Sequence, residues 1–167
     1  DSTAQLRGLR ELNINLKMVS GTVGPGLPKF AKQLGNTAEY VLGFSQWEPK
    51  PEILKRPGMR PFIAEYEKRY GIKPNYHAGI SYAAMQITGA AIKKAGTIDR
   101  HQVWKTLRSM RTVTVIGPWK VDKNNLNSHE GLTFQILNGK RKIVWPKKLA
   151  EADYKLPMPS WKDRPKN

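Results

Sequence analysis

Apolar positions along this chain follow two rhythms, one helical and one of strands. Leu6, Leu9 and Leu12 recur at helical spacing, which predicts a short amphipathic helix over 3–12. The apolar stretch from Leu16 to Val19 predicts a strand, and Ser20 to Gly26 then reads as a glycine-rich loop. Pro28 is placed to open a second helix, 28–34, that Gly35 closes. Tyr40 to Phe44 predicts a second strand. Helix, strand, helix, strand in this order is the pattern of a parallel α/β layer. The pattern begins at a helix whose preceding strand is not in the chain, a first sign that it is a portion of a larger unit.

The segment from Glu48 to Pro61 holds four prolines, at 49, 51, 57 and 61, and is expected to be a long connecting or functional loop. A helix from Pro61 to about Tyr70 follows, with Phe62, Ile63, Tyr66 and Tyr70 on one face and Gly71 as its stop. The longest predicted helix runs from His77 to Ala95. Its residues Ala83, Ala84, Ile87, Ala90 and Ala91 make a face suited to close packing, and Gly96 is its cap. Asp99 can cap a further helix from Arg100 to Met110, with Val103, Trp104 and Leu107 turned inward.

Beyond Thr112 the rhythm shortens to two. Val113 to Ile116 is β-rich, Gly117-Pro118 is expected to turn the chain, and Trp119 to Val121 to run extended before a turn at 122–125. Leu132, Phe134 and Ile136 alternate with polar residues, as one buried face of a strand requires. Asn138-Gly139 signals a tight hairpin, and Lys142 to Trp145 is its return strand. After Pro146 the chain is polar and proline-rich, and is expected to wrap over the surface with Trp161 as a clamp. Trp104, Trp119 and Trp145 are expected in core or sheet positions.

Composition narrows the function classes. With 39% hydrophobic and 25% charged residues, the 167-residue chain suits a soluble globular fold, and no apolar run approaches a membrane span. Cysteine is absent, which removes disulfides, cysteine-based metal sites and thiol nucleophiles. The formal net charge of +16 raises the question of nucleic acid or an anionic surface. Residues 1–49 are nearly balanced, with five Lys/Arg against four Asp/Glu. The excess begins at Lys50 and is spread thinly, its densest cluster being Lys140-Arg141-Lys142 followed by Lys147-Lys148. Such a distribution reads first as solvated surface. Histidines at 77, 101 and 129 are dispersed and make no metal site, His101 and His129 reading as surface residues. Neither a phosphate-binding glycine loop nor a nucleophile elbow is present.

Five stretches carry a resemblance. Phe62 to Gly71 reads F-I-A-E-Y-E-K-R-Y-G and is followed by Lys73-Pro74. Tyr82 to Gly96 reads Y-A-A-M-Q-I-T-G-A-A-I-K-K-A-G, and Asp99 to Met110 reads D-R-H-Q-V-W-K-T-L-R-S-M. Gly117-Pro118 with Val121-Asp122, and the hairpin ending Ile143-Val144-Trp145-Pro146, complete the series. In order and spacing this resembles the second half of solute-binding proteins of branched-chain amino-acid (Leu/Ile/Val-type) ABC transporters. The resemblance implies a type I periplasmic-binding-protein fold: two parallel three-layer α/β lobes that close on a ligand by hinge motion. The chain would be an incomplete second half with parts of both lobes. Residues 1–47 would belong to lobe two, 48–60 to a hinge crossing, and 61–112 to lobe one. Residues 113–146 would return to lobe two, and 147–167 would form the tail. Incompleteness of this kind implies exposed sheet edges and apolar faces, hence an expectation of self-association.

The resemblance also directs attention to ligand contacts. The Ser20, Gly21, Thr22, Val23 loop follows a strand, where ligands of open α/β sheets bind. Amino-acid binders of the family often place a carboxylate in this loop to hold the ammonium group; Thr22 and Val23 are uncharged, which points toward a carboxylate or aromatic-acid ligand. A plain turn built by glycines is the competing reading. Tyr76 and His77 precede the long helix where the family often has an aromatic facing the cleft, and His77 could donate a hydrogen bond to an anion. A surface histidine at a helix start explains His77 as well. Trp47, after the second strand, reads either as a cleft residue or as a packing tryptophan.

The expected function is thus extracytoplasmic solute binding for an ABC importer, without chemistry, cofactor or metal. The ligand would be an amino acid or a small carboxylate such as an aromatic acid, the partner a membrane permease, and the location periplasmic, or lipid-anchored in a Gram-positive source. A sensory ligand-binding domain is the alternative on the same fold. A basic nucleic-acid-binding protein is the alternative from another class, supported by charge alone; an enzyme is supported only by fold class.

Overall fold

The computed structural model describes residues 2–127 and 130–165. In chain order its elements are α1 (Ser2–Glu11), β1 (Ser20–Gly21), α2 (Pro28–Leu34), β2 (Leu42–Ser45), α3 (Pro51–Leu54) and α4 (Met59–Tyr70). There follow α5 (Tyr76–Ala95), α6 (Arg100–Ser109), β3 (Thr112–Thr114), β4 (Gly117–Trp119), β5 (Leu132–Leu137) and β6 (Lys140–Trp145). The chain divides into two compact units, residues 1–45 with 131–167, and residues 46–130.

The first unit is built on a four-stranded sheet in the order β1-β2-β5-β6, parallel between β1 and β2 and antiparallel beyond. The alternation read in the sequence fixes its inner face. Leu132, Phe134 and Ile136 are all buried, and Phe134 and Ile136 join Leu6 of α1, Phe30 and Leu34 of α2, Ala38 and Val41 in one core cluster. Asn138 and Gly139 both have positive φ, 54° and 68°, the geometry of the tight hairpin turn their sequence predicts. The buried carboxylate of Glu39 accepts both of their N–H groups, which satisfies the turn from outside the hairpin.

The tail straps this sheet as expected. Gln135, wholly buried on the face opposite the core, donates to the carbonyls of Tyr40 and Lys155 and accepts from Lys155 N–H at 2.8 Å. Further along, Trp161 Nε1 donates to Ile14 O, and Arg164 donates to the carbonyls of Thr37 and Glu39 while its guanidinium lies 3.6 Å over the Trp161 ring. Burial pulls the Arg164 guanidinium below its ordinary pKa, so those carbonyls and the ring stand in for water.

The second unit is helical, with one small strand pair. Trp47 is its centre. The indole is 1% exposed, donates through Nε1 to Met59 Sδ at 3.3 Å, and meets Phe62 edge-on with centroids 5.9 Å apart. α5 comes close enough to cover it because position 79 carries no side chain: a Cβ there would stand 2.6 Å from Trp47 Cδ2. Asn75 Oδ1 caps α5 by accepting from Ala78 N–H, and Asp99 Oδ1 caps α6 by accepting from Gln102 N–H.

Several sequence expectations are corrected here. Residues 16–19 are not a strand: Leu16 and Met18 are 43% and 55% exposed, and pairing starts at Val19 O, which accepts from Leu42 N–H. The stretch instead serves the tail, as Lys17 O accepts from Met158 N–H. The 48–61 region is not all loop, since α3 occupies 51–54 and α4 starts at Met59, with Pro61 in its first turn where a missing N–H costs nothing. The turn between β3 and β4 falls at 115–116 rather than at Gly117-Pro118, which lie in β4. It is held by the Gln86 side chain accepting from Val115 N–H and by Thr114 Oγ1 accepting from Ile116 N–H. On α5 Ala83 and Ala91 are buried but Ala84 is exposed; on α6 Trp104 is 47% exposed, lying beneath Arg108 and against His101. Trp145 is 60% exposed although it sits in the sheet.

Candidate functional site

In the first unit, β1 and β2 run parallel with Ser20 opposite Leu42 and Gly21 opposite Gly43. The chain leaves β1 at its carboxyl end through Thr22 and Val23, both exposed. It then tightens into a 3-10 turn over Gly24–Gly26, where Gly26 N–H donates to Val23 O, before Pro28 opens α2. Of the predicted residues, Ser20 and Gly21 are the parallel strand β1 itself rather than a loop after it, and Thr22 and Val23 leave its carboxyl end, where an open α/β sheet receives its ligand. From Ser20 to Leu27 the segment carries two hydroxyls and no charged side chain. Its hydroxyls can donate hydrogen bonds to an anion or neutral polar group, and it has no carboxylate to pair with an ammonium.

Beside this loop lies an apolar cavity of about 470 Å³, lined by Leu6, Leu9, Leu12, Ile14, Val19 and Val41 among others. Its rim is apolar in solvent, with Leu12 73% exposed.

In the second unit, Tyr76 and His77 begin α5, their rings 4.1 Å apart, with His77 exposed and Tyr76 half-buried. His77 lines a groove of about 890 Å³ between α4 and α5. An aromatic ladder runs along that groove: Phe62 stacks on Tyr82 at 4.5 Å, and Tyr66 meets Tyr70 at 4.6 Å. Sequence periodicity found Phe62, Tyr66 and Tyr70 as one face but not Tyr82 as their partner. Trp47 is buried inside its unit, packed against Gly79 of α5. His129 lies outside the described residues, and among the described residues no cluster of three metal-ligating side chains occurs.

Sequence reasoning missed one group in the first unit. Phe44 pairs with Thr133, and Thr133 pairs with Trp145, so the three make one row across the sheet. The signal was available only in part, as two aromatics near strand ends; their register was not.

Comparison with known proteins decides the family. Residues 1–140 match the family model described as periplasmic binding protein. The chain belongs to that family. Among solved structures, it is similar to the leucine-binding protein LivK of Thermotoga maritima, with TM-score 0.73 and 22% identity, over 88% of this chain and 42% of that one. It is also similar to the substrate-binding protein LivJ of Streptococcus pneumoniae in complex with isoleucine (TM-score 0.67, 18% identity, 82% of this chain and 38% of that one). A solute-binding protein of R. palustris in complex with benzoate matches with TM-score 0.56 and 16% identity, over 68% of this chain and 31% of that one. The chain thus spans less than half the length of each. These likenesses establish the periplasmic-binding-protein type I fold that the sequence resemblance implied. Among the described residues, no helix of this family member is long and apolar enough to cross a membrane.

Proposed function

We propose that this chain forms part of an extracytoplasmic solute receptor of an ABC importer. Its ligand is an amino acid or a related small carboxylate, aromatic acids included, and it works with a membrane permease from the periplasm or from a lipid anchor. The receptor binds and releases its ligand unchanged. In this reading the unit of residues 2–45 and 131–165 is one lobe and that of residues 46–127 the other, so the chain returns to lobe two near 131 rather than at the 113 expected from the sequence, and β3 and β4 stay with the helices. The carrying observation is the uncharged, hydroxyl-bearing Ser20–Val23 segment, which forms β1 and leaves its carboxyl end in a periplasmic-binding-protein fold. Leucine, isoleucine and benzoate, bound by structurally similar proteins, share a carboxylate and little else, which supports that group as the common feature recognised. Tyr76 and His77 are the second unit's own candidate contacts.

A thermal-unfolding panel tests this. Small carboxylates at about a hundred times their dissociation constant should stabilise the chain by about 2.7 kcal/mol and raise its melting temperature. Thr22→Asp should abolish the response to benzoate by placing a like charge in the loop. A panel in which no amino acid or small acid moves the melting temperature, while single-stranded DNA does so at low salt, would favour the nucleic-acid reading.

We also propose that copies of the chain associate through the edge formed by Leu12, Leu16 and Met18, which are 73%, 43% and 55% exposed. Sedimentation equilibrium should show a dimer that Met18→Lys weakens. A monomer up to the solubility limit contradicts this.

A further inference from the structure

The helix α6 has a solvent face of one chemical kind. At 3.6 residues per turn, Arg100, His101, Trp104, Lys105 and Arg108 fall within about 140° of its circumference, and all five are exposed. Val103, Thr106 and Leu107 fall on the other side and are half-buried, where α6 packs on α5. No acidic residue stands between Asp99 and Asp122, while five Lys/Arg do, at 100, 105, 108, 111 and 120. Asp99 itself is engaged as the cap of α6, accepting from Gln102 N–H at 2.9 Å. Lys105 and Arg108 are like charges three positions apart, an arrangement that weakens a helix unless an anion lies across it.

Trp104 stands in the middle of this face, 47% exposed. Its ring is framed by cationic and aromatic neighbours instead of being buried. The Arg108 guanidinium lies 4.8 Å from its centroid, and His101 stacks on it at 5.7 Å with the planes 27° apart. An indole with an apolar body, a wet edge and flanking basic groups has the chemistry of a lipid headgroup interface. Just before the cap, Ile98 is 84% exposed. An aliphatic side chain gains from acyl chains and gains nothing from a phosphodiester backbone, which favours a lipid surface over a nucleic acid.

We propose that the outer face of α6 adsorbs to an anionic lipid bilayer, with Arg100, Lys105 and Arg108 on lipid phosphates and Trp104 and Ile98 as shallow apolar anchors. Charge complementarity selects this occupant: an unbroken basic face matches a surface of anionic headgroups. Val103 and Leu107 are turned inward, so the helix rests at headgroup level and does not insert. Salt makes the contact local. At about 0.1 M the Debye length is about 10 Å, so distant charges of the +16 chain add little. This surface carries none of the candidate solute contacts, and its adsorption does not depend on them.

The test is co-sedimentation of the 167-residue chain with vesicles of phosphatidylcholine alone, and of phosphatidylcholine and phosphatidylglycerol in equal parts, in about 0.1 M salt. Binding to the mixed vesicles only is expected. Lys105→Glu combined with Arg108→Glu should weaken it at least about twentyfold. Trp104→Ala should weaken it about fivefold. Far-UV circular dichroism should not change, since all three side chains are exposed. Lys29→Glu combined with Lys32→Glu, at exposed positions of α2, removes the same charge elsewhere and should weaken binding less than about threefold. No preference for the mixed vesicles, or equal loss in both charge-reversed variants, would overturn the proposal. So would binding of single-stranded DNA that the α6 reversal abolishes while vesicles are ignored, which would assign the face to nucleic acid. Benzoate titration of the α6 variant should match that of the native chain; a parallel loss of benzoate binding would make α6 part of the solute site instead.

Discussion

Truncating Trp47 to Ala should cost the second unit about 3–5 kcal/mol, the largest loss expected from a single substitution in that unit. The indole is 1% exposed, touches Phe62 edge-on, and places its N–H on Met59 Sδ, so its removal opens a cavity that leaves both α4 and α5 without their packing partner. Helices have few alternatives here, because the unit's only described sheet is the β3–β4 pair. Urea denaturation followed by hydrogen exchange of α5 amides measures the effect. Loss of protection throughout α5 is expected; a change under about 1 kcal/mol would mean that Trp47 is not the unit's keystone. Gly79→Ala disturbs the same packing from the other side, by pushing a methyl against the ring.

Gly43→Ala should be the most damaging small substitution in the first unit, costing about 3 kcal/mol, at the upper end for overpacking. A Cβ at this site would stand 2.3 Å from Phe134 Cζ and 2.8 Å from Pro25 Cβ. Neither neighbour can yield cheaply. Phe134 is fully buried in the core cluster, and Pro25 sits in the rigid turn between β1 and α2. The displacement would pass directly to the Ser20–Val23 segment, so ligand response should fall along with stability. Hydrogen exchange on β5 together with the benzoate titration reads both; unchanged β5 protection in Gly43→Ala would contradict the packing argument.

What the sequence disclosed follows from the range of each signal. Helix α2 was legible to the residue because a proline and a glycine bracket it. The hairpin at 138–139 was legible because Asn-Gly sets its own backbone geometry. The strand expected at 16–19 was not there, since apolar side chains at 14, 16 and 18 signal burial that nothing in the described residues supplies. The turn at 115–116 was hidden because Gln86, about thirty residues earlier on α5, holds it. For the candidate site, the 20–23 segment was visible as glycine spacing after an apolar stretch. The Phe44–Thr133–Trp145 row was invisible, because it joins residues about ninety positions apart through strand register, including the irregularity between Thr133 and Phe134. Trp47 remained ambiguous for a related reason: only the missing side chain at Gly79 reveals how closely α5 covers it.

The central claim is that this member of the periplasmic binding protein family recognises a small carboxylate through the loop that follows β1. Isothermal titration of the chain and of Thr22→Asp with benzoate, leucine and acetate tests it most directly. The account predicts one-site, saturable heat for at least one of these with the native chain, and its loss in Thr22→Asp with the fold intact. Binding of equal strength in both proteins would contradict the assignment of the loop, and no binding to either would contradict the solute-receptor function for this chain.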